Sequence, residues 1–261
     1  MIIPAHITGF FTIHKEKIPI KSGSTGAGIT LDKGVEIRLE DGTGKIYYND
    51  KRADICPVKK ILKEETENIF DVYFYSPFPL GSGLGMSGAC SLALTKILKL
   101  PIEKAHIAEV ECNTGLGDVI AQAIKGFVIR LSPGFPTVVK RVPVRVEDYY
   151  IVLEILGEKE TKDILTNPEL TKRINLSGDL CLDELLLNPT LENFIKLSYR
   201  FANETNLIDD EIKEICEDLN KICLGASQSM LGKTVFCIVK KGQLKDVLSI
   251  LKNPIVCKIS Q

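Results

Sequence analysis

The stretch from Gly81 to Gly88 reads GSGLGMSG and stands directly before an apolar run that carries no charge until Lys96. Glycines let main-chain N–H groups approach an anion without side-chain obstruction, and the free amides and dipole of a following helix favour negative charge there. That is the chemistry of a phosphate cradle, assigned to Pro79, Gly81, Ser82, Gly83, Leu84, Gly85, Met86 and Ser87. At the helix start the Ser87 hydroxyl either caps the helix or is presented to a metal ion on the phosphates. Two other glycine signatures fit less well. Gly83-x-Gly85-x-x-Gly88 satisfies the dinucleotide fingerprint, but a Rossmann unit returns to a strand after its helix, whereas Pro101 here leads into a second helix. No Gly, four residues, Gly-Lys-Ser/Thr run occurs anywhere, which excludes a Walker loop. A plain turn that brings a buried helix close to a strand is the remaining alternative.

Charged residues that could act on a bound phosphate follow at once. Glu109 and Glu111 are two apart on an expected helix, about 200° apart in projection, so they cannot face one site. Glu109 shares the stripe of Ile102, Ala105 and His106, a largely apolar face where an unpaired carboxylate is costly. Glu109 is therefore the candidate metal ligand and Glu111 the alternate. Asp118 closes the loop NTGLGD before an apolar helical turn, a position that suits an ordinary N-cap as well as an active carboxylate. Arg130 follows twelve residues later on an expected strand, where its planar guanidinium either pairs with an anionic group or simply faces solvent. His6, Ser24 and Thr25 are further candidates for the substrate pocket; a structural histidine and a hairpin turn are the competing readings.

The elements that must position these residues divide at about residue 146. Before it, Gly34 to Glu40 alternates apolar and polar side chains, as does Lys45 to Tyr48 after the Asp41-Gly42 turn signal, so the pair predicts a hairpin. Asp71 to Tyr75 is a strand that ends where the glycine loop begins. Helices are expected over Ser87 to Leu98, Ile102 to Cys112 and, shorter, Val119 to Ile124, with a strand over Gly126 to Leu131. After Val146, strands are expected at Tyr149 to Leu156, Lys233 to Val239 and Ile255 to Ile259. Between them lie a charged helical segment, Glu158 to Asn175, broken near Pro168, and amphipathic helices at Asn193 to Leu207, Asp209 to Ile222 and Gly242 to Leu251. The class is α+β in two lobes, residues 1–146 with the phosphate loop and residues 147–261.

Composition excludes several functions. With 33 basic against 34 acidic side chains there is no basic footprint for a nucleic acid. Apolar runs such as Tyr149 to Leu156 are too short to span a bilayer, and the N-terminus lacks a secretory layout, so a soluble, cytoplasmic protein is expected. Eight cysteines are scattered without a C-x-x-C pair, which predicts reduced core thiols rather than zinc or redox chemistry.

The run PLGSGLGMSGACSLAL (79–94) resembles the second motif of the GHMP kinases, Pro-x-x-x-Gly-Leu-Gly-Ser-Ser-Ala, with Pro79, Gly83, Leu84, Gly85 and Ser87 in register. Met86 replaces the usual first serine and Gly88 the usual alanine. PAHITGFF (4–11) is similar to the first motif, and GASQSMLGKTVFCIV (225–239) occupies the place of the third with fewer glycines. Within the family, HITGFF with GSTGAG (23–28), the run AEVECNTGLGDVIAQ (108–122) and Arg130 are most like the archaeal members that phosphorylate pantoate. The resemblance implies a first lobe like the second domain of ribosomal protein S5, a ferredoxin-like second lobe, ATP as donor and Mg²⁺ as cofactor. It implies Asp118 as catalytic base, Ser87 and Glu109 on the metal, and Arg130, His6, Ser24 and Thr25 on the acceptor; a homodimer is compatible with it. The rivals are another hydroxylated acceptor (mevalonate, shikimate or homoserine), an NAD-dependent oxidoreductase, and a nucleotide-binding regulator without catalysis.

Overall fold

The computed structural model describes residues 1–158 and 167–261. The first half is a seven-stranded sheet of β1 (Ile2–Phe11), β2 (Gly26–Asp41), β3 (Ile46–Tyr48), β4 (Lys51–Arg52), β5 (Phe70–Tyr75), β6 (Phe127–Arg130) and β7 (Val139–Val142). Its order is β4-β3-β5-β2-β6-β7, with β1 pairing β2. The β1–β2 register slips between Pro4 and His6 and again between Thr8 and Phe10. Such irregularities re-aim side chains, and these two flank the segment that carries His6 and Thr8.

Four helices accompany this sheet: α1 (Cys56–Glu65), α2 (Met86–Ile97), α3 (Glu103–Cys112) and α4 (Asp118–Ile124). In α2 every residue from Gly88 to Thr95 is buried, as its lack of charge predicts. The second half is a four-stranded antiparallel sheet of β8 (Tyr149–Gly157), β9 (Gly225–Gln228), β10 (Lys233–Lys240) and β11 (Ile255–Cys257). Its order, β11-β8-β10-β9, is the ferredoxin-like order. With it go α5 (Pro168–Leu187), α6 (Leu191–Glu204), α7 (Asp210–Leu219) and α8 (Leu244–Ile250). Among the described residues no helix is long and apolar enough to cross a membrane.

The two halves share a core. Phe10 and Phe11 of β1 pack on Phe201 of α6 at ring-centroid distances of 6.4 and 5.6 Å, and Phe127 of β6 meets Phe194 at 5.1 Å. Burying such rings contributes on the order of 2 kcal/mol each, so β1 is anchored at once to β2 of its own sheet and to α6 of the second half.

Three expectations are corrected. The hairpin between Gly34 to Glu40 and Lys45 to Tyr48 does not form: β5 lies between them, antiparallel to β2 and parallel to β3. The Asp71 carboxylate accepts from the amides of Thr43 and Lys45 at 2.8 Å each, turning the chain away from β2. The charged segment Glu158 to Asn175 is helical from Pro168, which stands at the first helical position behind an Asn167 cap, and this helix runs on to Leu187; residues 159–166 lie outside the described residues. The thiols are not all reduced, since Cys56 and Cys112 form a disulfide joining the start of α1 to the end of α3.

That bond closes a loop across 56 positions of sequence. Chain entropy assigns such a loop about 4 kcal/mol of stabilisation. Cys56→Ser is accordingly expected to lower the urea midpoint well below that of the oxidised parent, and reductant is expected to have the same effect on the parent but none on the variant.

Candidate active site

The glycine loop enters α2 through three residues with left-handed backbones, Gly81 (φ 76°), Gly83 (φ 82°) and Gly85 (φ 64°). Side chains rarely adopt that region, which accounts for the alternating glycines. Gly85 is the N-cap and no side chain caps the helix, so its first amides open towards a cleft. Gly81, Gly83, Gly85, Met86, Ser87 and Gly88 form one wall of this cleft, with Thr114 to Asp118 and Arg130 opposite. Of the other loop residues, Leu84 is fully buried and its carbonyl accepts from the His6 amide at 2.9 Å, and the Ser82 hydroxyl donates to the Pro79 carbonyl at 2.8 Å. Pro79, Ser82 and Leu84 thus shape the loop and do not face the cleft.

The second lobe holds this loop from behind. Ser229 Oγ donates to the Gly83 carbonyl at 2.6 Å and Thr234 Oγ1 to the Ser82 carbonyl at 2.7 Å. Gly83 also passes so close to Gly232 that a Cβ on it would stand 2.6 Å from the Gly232 Cα. The segment 225–239, poor in glycine as it is, therefore shapes the loop directly.

Ser87 is not a cap. Its Oγ donates to Glu109 Oε1 at 2.6 Å. Glu109 is 2% exposed and its other oxygen, Oε2, has no partner. Burial pushes its pKa up to about 8, with the charge of Asp118 adding to the rise against the Ser87 hydrogen bond. Glu111 looks elsewhere, into an ion pair with Lys60 at 2.8 Å. Gly115 lies between Glu109 and Asp118: a Cβ there would stand 2.6 Å from Glu109 Oε2 and 3.3 Å from Asp118 Oδ2. The glycine keeps open the space into which both carboxylates look.

Asp118 is not a cap either, since Gly117 takes that position. Its Oδ1 accepts from His6 Nδ1 at 2.6 Å and, more distantly, from Thr8 Oγ1 at 3.4 Å. Burial alone would raise its pKa, but the His6 hydrogen bond and the positive charge of Arg130 hold it below the ordinary carboxylate value. Burial lowers the pKa of His6, so the imidazole is neutral and donates through Nδ1–H. Asp118 is a fixed, ionised carboxylate with Oδ2 turned to the cleft. Four residues on along α4, Gln122 Nε2 donates to the Gly85 carbonyl at 2.8 Å, so one helical face holds both the carboxylate and the glycine loop.

Arg130 is 1% exposed; Nε and Nη2 donate to the Ser24 carbonyl and hydroxyl at 3.4 and 3.3 Å, and Nη1 has no partner. Among the described residues, six buried side-chain polar atoms lack partners, and three of them belong to Glu109, Gln122 and Arg130 around this cleft. Buried polar groups are normally satisfied, so a concentration of orphans marks a place built for a polar ligand.

The structure does not bring two expected residues to the acceptor. His6 is fully buried beneath Asp118. Thr25 turns its hydroxyl onto Thr12 Oγ1 at 2.6 Å. Sequence reasoning in turn missed Thr8, Gln122 and the Ser229–Thr234 clamp. The i, i+4 spacing of Asp118 and Gln122 is a signal that could have found one of them.

The raised pKa of Glu109 has a consequence for stability. Its unfolded value is near 4.5 and its folded value about 8, so between these the folded protein holds the proton more tightly and stability falls as pH rises. The full effect is roughly a few kcal/mol. With divalent ions chelated, Glu109→Gln is expected to be more stable than the parent at pH 8 and to converge with it near pH 5, read from urea midpoints.

A family model described as the GHMP kinases N-terminal domain matches residues 55–126. The chain is 56% identical to a pantoate kinase of Methanocaldococcus jannaschii, covering 99% of both chains, and 32% identical to a pantoate kinase of Thermococcus kodakarensis, covering 96% of this chain and 91% of the other. A solved structure described as a phosphotransferase related to the CoA biosynthesis pathway superposes with a TM-score of 0.84 at 29% identity, over 99% of this chain and 94% of that one. The Methanococcus jannaschii mevalonate kinase shares the fold at a TM-score of 0.66 and 15% identity, over 100% and 98% of the two chains.

Proposed function

The chain belongs to the GHMP kinase family, and from that premise we propose that it transfers the γ-phosphoryl group of ATP to the 4-hydroxyl of (R)-pantoate, giving 4-phosphopantoate on the route to coenzyme A. The reading is supported by the relatives' activity and by one observation above others. Uncapped helix amides, Ser87, the ionised Asp118 and Arg130 all line a single cleft, with Glu109 hydrogen-bonded to Ser87 just behind its surface.

In this reading the amides from Gly83 to Ser87 bind the phosphates. Asp118 receives the 4-hydroxyl on Oδ2, orients it and accepts its proton, while His6 holds Oδ1 and so fixes the direction of the other oxygen. Arg130 takes the acceptor carboxylate on Nη1, with Ser24 keeping the guanidinium in place. The donor set suits Mg²⁺, a hydroxyl and a carboxylate with one oxygen free, so Ser87 and Glu109 would hold it; the ion supplies neutralisation of phosphate charge when bound. The described residues contain no cluster of three or more acidic, His or Cys ligands, and a cation that shares the nucleotide's phosphates needs none. Residues 1–146 are the lobe that carries these groups, with residues 147–261 contributing the clamp behind the loop. ATP as donor favours the cytoplasm as the place of reaction.

The test is ADP release from Mg-ATP with a panel of hydroxy acids. Pantoate is expected to drive it, with mevalonate, shikimate and homoserine at least about 100-fold poorer in kcat/KM. Release independent of any acceptor, or thermal stabilisation by NAD and not by Mg-ATP, contradicts the reading.

A further inference from the structure

Between the acceptor end of the cleft and the glycine loop, the wall is the turn joining β9 to β10. The Met230 amide donates to the Thr8 carbonyl at 3.1 Å, beside the residue that touches Asp118, and Gly232 packs on Gly83 of the phosphate loop. Leu231 stands between these two anchors. Its φ is 66°, in the left-handed region where a Cβ crowds the neighbouring carbonyl and where glycine sits without cost. A leucine held there, with its side chain bordering the cleft, points to a use for the side chain rather than for the turn.

We infer that Leu231, with Met230 and Phe11 beside it, is the specificity-determining contact for the quaternary carbon of the acceptor. The inference rests on the acceptor being pantoate, a butanoate chain with two methyl groups on C3, beside the carbon that carries the phosphorylated 4-hydroxyl. With the carboxylate on Arg130 and the 4-hydroxyl on Asp118, the carbon that bears those methyls lies between the two anchored ends. The methyls form no hydrogen bonds, so only apolar surface there can recognise them. Met230 (3% exposed), Phe11 (4% exposed) and Leu231 supply that surface; the other apolar side chains lining the cleft are Met86 at the start of α2 and Leu116 two residues before Asp118. An unbranched dihydroxy acid would leave this patch against water and bind less well.

The test compares pantoate with 2,4-dihydroxybutanoate, which lacks both methyls, as acceptors for the parent, Leu231→Gly and Leu231→Asn; both replacements accept a left-handed backbone. The parent is expected to favour pantoate by at least about 10-fold in kcat/KM, as methyl-sized contacts in apolar pockets do. In both variants this preference falls about 10-fold, chiefly through KM for pantoate. Leu231 also packs against the core, so the glycine variant loses some thermal stability, offset in part by relief of the left-handed backbone. A loss of preference for pantoate with little change in kcat/KM for the unbranched acid is not expected of a residue that only shapes the turn. Equal losses on both acceptors, or an unchanged preference, overturn the inference while leaving the kinase reading intact. A parent that turns over neither acceptor overturns both.

Discussion

Asp118→Asn is expected to lower kcat about 1,000-fold while the affinity for Mg-ATP stays within about 3-fold of the parent, in line with the loss of a positioned general base. The substitution is nearly isosteric, so the contact of Oδ1 with His6 at 2.6 Å can persist through the amide oxygen. The change then falls on the other atom. Where the proposed reaction has Oδ2 accept the 4-hydroxyl, an amide nitrogen would donate, leaving no acceptor for the proton and no charge to align the nucleophile. The glycine loop is held from elsewhere, by Gln122, Ser229 and Thr234, which is why binding of the nucleotide is expected to survive. Single-turnover phosphoryl transfer and calorimetric titration with an ATP analogue read the two quantities apart. Turnover near that of the parent would remove Asp118 from the mechanism.

Arg130→Lys is expected to raise KM for pantoate about 100-fold and to leave KM for ATP almost unchanged, the effect of breaking a buried, hydrogen-bonded charge pair. Lysine is more informative here than alanine. Arg130 lowers the pKa of Asp118, so removing the charge would disturb the base as well as the acceptor, whereas lysine keeps the charge and loses the fork. The guanidinium spends Nε and Nη2 on Ser24 and keeps Nη1 free, an arrangement that one ammonium group cannot reproduce. Equal increases in KM for acid and nucleotide would mean that Arg130 supports the cleft or touches phosphate.

The parts of the site that sequence made legible are those set by local geometry. Glycines set before an uncharged helix marked a turn with open main-chain amides, and the helix there has no side-chain cap and is entered through left-handed backbones at positions 81, 83 and 85. Helical periodicity separated Glu109 from Glu111, and the two do face apart, one under Ser87 and the other onto Lys60. What local geometry could not supply was long-range pairing. His6 reaches Asp118 across 112 positions, and nothing in HITGFF says that its imidazole supports a carboxylate rather than a substrate. The same holds for the bond between Cys56 and Cys112. The expected hairpin failed because an alternating pattern states which face of a strand is buried and not which strand lies beside it, and β5 took that place. The clamp from Ser229 and Thr234 was hidden because its hydrogen bonds run to carbonyls, which leave no trace in residue type.

The central claim is that main-chain amides at the start of α2 hold a triphosphate with its γ-phosphoryl aimed at the hydroxyl on Asp118. A crystal structure with pantoate, Mg²⁺ and a non-hydrolysable ATP analogue tests it most directly. The account predicts phosphate oxygens within hydrogen-bond reach of the amides between Gly83 and Ser87, and the pantoate hydroxyl on Asp118 Oδ2. Phosphates bound anywhere else on the protein, with that loop bare, would contradict it.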